Sequence, residues 1–224
     1  MKGSMNPEVR LVVRIVRLPQ SAVLEEYEAL AAEPGVDLAF VDRPEDLGLA
    51  DMVVLPGSEA TLPDLAHLRA TGMEAAVRRA AAGGALLFGI CGGFQMMGSE
   101  LLDPERLEGG AERASGLAIF DLVTTFTREK IDEPVRATGA AAFLPAGAEV
   151  SGFETHGGQS VLRSGDAAPL FHEAARGSAA CPLGLATRDY AAMGTYLHGV
   201  LADPVFRRHL LALLRERRQA AVVL

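Results

Sequence analysis

The sequence predicts an α/β fold, a mostly parallel sheet with helices on both faces. Three observations predict it. Short β-branched or apolar runs alternate with longer stretches of helical spacing through the N-terminal half. The runs MVVL and ALLFGI are apolar throughout, as strands covered on both faces require. Strand–helix–strand alternation implies right-handed crossovers and therefore parallel neighbours.

The elements follow in order. Leu11–Leu18, LVVRIVRL, is β-branched and short, and Pro19 ends it as a strand. Val23–Ala32 carries helical spacing until Glu33-Pro34-Gly35 stops it. Val36–Val41 is a second strand, and Met52–Leu55 a third that ends at Pro56-Gly57-Ser58. Thr61–Ala82 reads as helix with a break at Thr71-Gly72. Ala85–Ile90 is the fourth strand and Gly93–Leu102 the next helix. Beyond it, Ile119–Thr127 alternates like a strand and Val150–His156 reads as another. Leu183–Met193 resembles a hairpin before a short strand at Gly194–Leu197, and Asp203-Pro204 caps a final amphipathic helix towards Arg218. There is no internal repeat and no Pro/Ser-rich linker. Residues 11–224 are expected to form one domain, preceded by residues 1–10 as a leader whose MKGS reads as an expression scar.

Composition narrows the function. A chain of 224 residues can bury a full core. Its net charge of −8 argues against a nucleic-acid or anionic-membrane surface, which needs clustered basic residues. No apolar run approaches the roughly 18 residues of a membrane span, and the N-terminus has no signal-peptide core, so a cytoplasmic location is expected. Two cysteines, Cys91 and Cys181, give neither a disulfide framework nor a metal quartet. Cys181, before Pro182, is read as structural or incidental.

Chemistry concentrates at Cys91. Strand, cysteine, Gly92-Gly93 and helix have the layout of a nucleophile elbow, with the reactive atom in a tight turn at the carboxyl end of a strand. In open α/β sheets that end is where ligands bind. A buried small hydrophobe is the commoner fate of a cysteine after an apolar strand, but a core position needs neither the flanking glycines nor Gln95. The helix terminus favours thiolate by about 0.3–1 kcal/mol, worth roughly one pKa unit at most. A thiolate at neutral pH therefore wants a basic partner as well. Of the five histidines, His67, His172 and His209 lie in segments with no task. His198, in Gly194-Thr195-Tyr196-Leu197-His198-Gly199, ends a short strand; if that strand joins the same sheet, its end lies beside the elbow. His156, in Phe153-Glu154-Thr155-His156-Gly157-Gly158, is the second candidate.

These residues resemble a known family. Gly89-Ile90-Cys91-Gly92-Gly93-Phe94-Gln95 looks like the nucleophile motif of class I (triad-type) glutamine amidotransferases, which have a flavodoxin-like fold. Val53-Val54-Leu55-Pro56-Gly57-Ser58-Glu59-Ala60-Thr61, Gly152–Gly158 and Gly194–Gly199 followed by Phe206-Arg207-Arg208 are similar to segments of the C-terminal glutaminase domain of cobyric acid synthases. The resemblance implies that Cys91 attacks the side-chain amide of L-glutamine, that His198 serves as base and then acid, and that amides near Gly57 and Gly92 hold the oxyanion. It also implies glutamine-binding roles for Ser58, Gln95, His156 and Gly157. The ammonia would pass to an ATP-dependent synthetase domain or subunit that amidates corrinoid carboxylates in cobalamin biosynthesis.

The sequence departs from the pattern in instructive ways. It has no G-x-x-x-x-G-K-[ST] phosphate loop, so ATP and Mg are expected only at a synthetase domain or partner, and no cofactor or metal is expected in this chain. Glu59 and Ala60 replace the family's lysine and asparagine. Many class I amidotransferases carry glutamate two residues after the histidine, where this chain has Val200. A backbone carbonyl or Glu154 are the candidates to orient His198. The competing readings are the glutaminase subunit that amidates the cell-wall precursor lipid II, and a non-catalytic binding module.

Overall fold

The structure, a computed structural model, describes residues 10–173 and 182–222; Cys181 lies outside the described residues. In chain order the first half comprises β1 (Leu11–Val16), a 3-10 turn (Leu24–Tyr27), α1 (Glu28–Ala31), β2 (Val36–Val41) and β3 (Met52–Leu55). Helices α2 (Thr61–Ala70) and α3 (Met73–Ala82) follow, then β4 (Leu86–Ile90) and α4 (Gly92–Met96). The second half adds β5 (Glu100–Leu102), β6 (Arg113–Ser115), β7 (Asp121–Gly139), β8 (Glu149–Ser164) and β9 (Ala168–Pro169). It ends with β10 (Phe171–Glu173), β11 (Gly184–Ala186), β12 (Ala192–Thr195), β13 (Leu197–His198) and α5 (Pro204–Val222).

Among the described residues the first sheet has seven strands in the order β2-β1-β3-β4-β12-β11-β9. Its first five strands are parallel, and β11 and β9 close that edge antiparallel. Every residue of β3 and β4 is buried, as expected of strands covered on both faces. In β1 the alternation survives, with Leu11, Val13 and Ile15 fully buried. Strand order reverses around β1, since β2 lies to one side of it and β3 and β4 to the other. The loops after β1, β3 and β4 therefore open at one carboxyl edge, the place where such sheets bind ligands.

The second sheet is dominated by the β7–β8 hairpin, with β13, β5 and β6 along its flanks. Both long strands exceed the Ile119–Thr127 and Val150–His156 runs, because their outer ends are exposed and lose the apolar alternation. The pairing slips between Thr125 and Lys130, where Gly158, at φ 86°, faces the extra residues of β7.

Three expectations are corrected. The helix expected over Gly93–Leu102 is five residues long, and the chain turns at Gly98 into β5. A Cβ on Gly98 would stand 2.6 Å from the Leu122 carbonyl oxygen, so the backbone itself docks on β7 there. The buried pair Met96 and Met97 imitates helical spacing without continuing the helix. Val23–Ala32 forms a 3-10 turn and one turn of α1. The strand expected at Gly194–Leu197 is divided: β12 joins the first sheet beside β4, whereas β13 crosses to the second and pairs with β8. Asp203 caps α5 as expected, its Oδ1 accepting from the amides of Val205 and Phe206 at 2.9 and 3.0 Å.

The elbow packs backbone directly on backbone. A Cβ on Gly93 would come within 2.0 Å of the Leu55 carbonyl oxygen at the end of β3. Gly93→Ala is expected to lower stability by about 3 kcal/mol or more, since both contacting groups are backbone. Leu49→Ser, at a side chain 96% exposed, should stay within about 0.5 kcal/mol. Urea midpoints of the two variants check this; a Gly93→Ala midpoint equal to wild type would contradict the packing.

Candidate active site

Cys91 sits between β4 and α4 at φ 49°, ψ −110°. Positive φ is costly for a residue with a side chain and is held here by flanking bonds. Its amide donates to Thr195 O at 2.8 Å, and its carbonyl accepts from Gln95 N at 2.9 Å. The thiol donates to Thr155 O at 3.4 Å and is 8% exposed. The sulfur thus stands at the rim of a cleft of about 380 Å³.

Helix α4 has five residues, so its dipole offers the sulfur little. The charge partner is His198, delivered by β13 and 1% exposed. Burial opposes charge on its ring, but the contacts with Cys91, then with Glu26, outweigh burial and hold His198 up at about 10. Glu26 lies in the 3-10 turn after β1, and its Oε1 is 3.5 Å from His198 Nδ1. Its Oε2 accepts from the Gly199 amide at 3.0 Å. Glu26 thus stands beside the ring that the sequence left to a backbone carbonyl or Glu154. Glu154, fully buried, accepts from His156 Nε2 at 2.6 Å.

His156 has the opposite electrostatics. Burial, helped by the charge of nearby His198, pulls it down to about 4, against hydrogen bonds to Gly157 and Gly158 that favour charge. It is a neutral imidazole at pH 7, stacked on the Tyr196 ring at 3.8 Å. Tyr196 in turn contacts Ser160, and Ser160 bonds to Thr124 at 2.7 Å, a buried polar row behind the cleft.

Of the sequence-predicted residues, Ser58, Cys91, Gln95, His156, Gly157 and His198 line one cleft. Gly57 and Gly92 lie beneath it. A Cβ on Gly57 would stand 3.1 Å from His198 Cε1 and 3.8 Å from Cys91 Cβ, so its backbone abuts both. Gly92 opens α4, so its amide has no intrahelical acceptor. Gln95 is held on both sides: its Nε2 donates to Gly157 O at 3.1 Å, and its Oε1 accepts from Thr61 Oγ1 at 3.2 Å. Ser58 donates to Asp64 at 2.6 Å, and burial raises that carboxyl's pKa.

Sequence reasoning missed Glu26, Thr61, Glu108 and Lys130. The last three line the cleft, with Glu108 accepting from the Thr61 amide at 2.6 Å. Lys130 had a signal: it is one of only two lysines in the chain. Among the described residues no cluster of His, Cys, Asp or Glu is arranged to hold a metal, and no helix is long and apolar enough to cross a membrane.

Fold and cleft together define a class, the class I glutamine amidotransferases. A crystal structure of a glutamine amidotransferase superposes with TM-score 0.62 at 20% identity, covering 90% of this chain and 98% of the other. PurLQS from Thermotoga maritima gives 0.66 at 16% identity, with 92% and 99% covered. At these identities the likeness is one of fold. The CobB/CobQ-like glutamine amidotransferase domain matches residues 12–206, and the chain belongs to that family. Cobyric acid synthase of Sorangium cellulosum is 42% identical over 93% of this chain and 43% of its own length. The cobyric acid synthase of Moorella thermoacetica is 38% identical over 92% of this chain and 41% of its own. The chain therefore spans less than half the length of these curated relatives.

The neutral His156 makes stability pH-dependent. Its folded pKa lies below the unfolded value of 6.5, so the contribution is present above pH 6.5 and lost as pH falls through about 4. The loss should approach about 3 kcal/mol. His156→Gln, which can still donate to Glu154, should lose correspondingly less between pH 7.5 and 4. Denaturant midpoints measured at both pH values decide it, and parallel losses would exclude the assignment.

Proposed function

We propose that this chain is the glutaminase domain of a cobyric acid synthase-type amide ligase, generating ammonia from L-glutamine for an ATP-dependent synthetase domain or subunit. The observation that carries the proposal is the pairing of Cys91, at a strained elbow, with a buried His198 that holds a proton across neutral pH. In the reacting state the proton that the thiol offers to Thr155 O has been given up, the ring carries a proton, and the sulfur beside it acts as nucleophile.

The steps follow from that starting state. Cys91 Sγ attacks the side-chain amide carbon of glutamine, forming a C–S bond and placing negative charge on the amide oxygen. The Gly92 and Gly57 amides lie beside Cys91, where such donors stabilise an oxyanion. Collapse breaks the C–N bond as the His198 proton passes to nitrogen, releasing ammonia and leaving a glutamyl thioester. The neutral ring then takes a proton from an attacking water, and collapse of the second adduct expels the sulfur and yields glutamate. Ser58, Gln95, His156 and Gly157 are assigned to holding the glutamine; they line the cleft between elbow and hairpin.

The acceptor side rests on the relatives. Those above are cobyric acid synthases, which favours corrinoid carboxylates over a cell-wall acceptor, and their greater length leaves room for the ATP- and Mg-dependent half. Cytoplasmic work belongs to the same reading. The test is glutamate release from L-glutamine by the chain, alone and with the synthetase supplied. Cys91→Ala should abolish it, and His198→Ala should lower it by about 10²–10⁴-fold. Full turnover by Cys91→Ala with the synthetase present would refute the elbow assignment.

A further inference from the structure

Glu26 and His198 present a specific pairing problem. Oε1 of Glu26 and Nδ1 of His198 are both buried, and neither has another hydrogen-bond partner. They face each other at 3.5 Å, long for a hydrogen bond and close for an ion pair. Nδ1 is directed at Glu26, and the same ring is in contact with Cys91. The buried Tyr27 hydroxyl is likewise unpartnered and lies against Glu26, but among these groups only the imidazole carries both a charge and a direct contact with Cys91. Such contacts often tighten when substrate closes the site.

The carboxylate is also held from behind. Oε2 accepts from the amide of Gly199, the residue after the histidine, so Glu26 grips both the ring and the backbone that carries it. The segment bearing Glu26 is fastened to the loop after β3: the Ala22 amide donates to Gly57 O at 2.9 Å, and the Glu59 amide donates to Gln20 O at 3.0 Å. Val23, a β-branched residue at φ 52°, turns the chain inward there. The buried Tyr27 ring anchors the turn edge-on against Phe40. A glutamate that served solvent would need none of this.

We propose that Glu26 is the positioning residue of the Cys91–His198 pair, orienting the imidazolium through Nδ1 from the turn after β1, a place the residues around His198 do not announce. The proposal rests on the glutaminase reading for its kinetic consequences, but not for its geometry. The charged and titratable groups facing His198 are Cys91 from the elbow, Glu26 with Tyr27 behind it from the turn, and His156 with Glu154 from β8. Glu26 is the carboxylate in contact with the ring, so its removal should release the proton at lower pH.

The test compares Glu26→Gln and Glu26→Asp with the parent chain. A glutamine can still accept from the Gly199 amide, so a purely structural role survives in Glu26→Gln while the charge is lost. The expected result for Glu26→Gln is a fall in kcat of about 10- to 10³-fold, less than the ~10⁴-fold of a carboxylate-to-amide change in a Ser-His-Asp triad. KM should stay within about threefold, and the alkaline limb of kcat/KM should move down by about one pH unit or more. Glu26→Asp should recover part of both.

Alkylation of Cys91 by iodoacetamide, mapped by peptide mass spectrometry across pH, reads the same pair without turnover. It separates failure of this proposal from failure of the glutaminase reading. A chain that hydrolyses no glutamine but shows the shifted alkylation profile in Glu26→Gln leaves the positioning role standing. Wild-type kcat and an unmoved alkaline limb in folded Glu26→Gln overturn it, as does a loss confined to KM. Should Glu26→Gln fail to fold, ¹⁵N shifts of His198 in the parent chain decide: a ring protonated at both nitrogens above pH 8 supports the proposal, and a neutral ring at pH 7 overturns it.

Discussion

The site depends on backbone meeting backbone at the elbow. Gly92 and Gly93 let the turn after β4 lie directly on the end of β3, where a Cβ on Gly93 would overlap the Leu55 carbonyl and one on Gly92 would press on Ser58. That approach fixes Cys91 in a backbone conformation it would not choose and leaves its sulfur at the cleft. Gly194 does the same from the other side, where any side chain would collide with the Phe94 ring. Three strands of the first sheet are thereby locked around one thiol before any charged group is considered.

Charge arrives from outside that sheet. His198 is carried by β13 onto the hairpin, and His156 and Gly157 come from β8 itself. Gln95 ties the two bodies together, donating to Gly157 from the helix that begins at the elbow. The register slip in the hairpin brings Phe126 and Lys130 to the cleft, which an unbroken ladder would have carried past it. The cleft is therefore the seam between the parallel strands of the first sheet and the antiparallel β7–β8 hairpin of the second, and substrate groups placed there meet residues from both.

How much of this was legible in sequence follows from where burial is decided. Strands β1 to β4 were plain because they are written locally, as short β-branched or apolar runs set off by turn residues, although only β3 and β4 are buried throughout. Cys91 and His198 were plain because glycines flank both. The five-residue α4 was overextended because the buried pair Met96 and Met97 continues the apolar pattern past the point where the helix ends. Glu26 was hidden for a deeper reason. In Leu24-Glu25-Glu26-Tyr27-Glu28 it looks like one acid among several on a solvated turn. It is nonetheless buried, and its partner Gly199 lies 173 residues away. No local pattern separates it from Glu25.

The two histidines show why composition could not assign their tasks. Both are buried aromatic bases within one cleft, and each has a carboxylate beside it. Burial lowers both, so the difference lies in what else each ring meets. His198 faces a sulfur and Glu26, two groups able to carry negative charge, and keeps its proton. His156 is stacked flat on Tyr196 and feels His198 as a neighbouring cation, so charging it would set two positive rings in one buried pocket. The proton on His198 thus helps to keep His156 neutral. One ring is equipped to deliver a proton, and the other to hold its shape and hydrogen bonds while that happens.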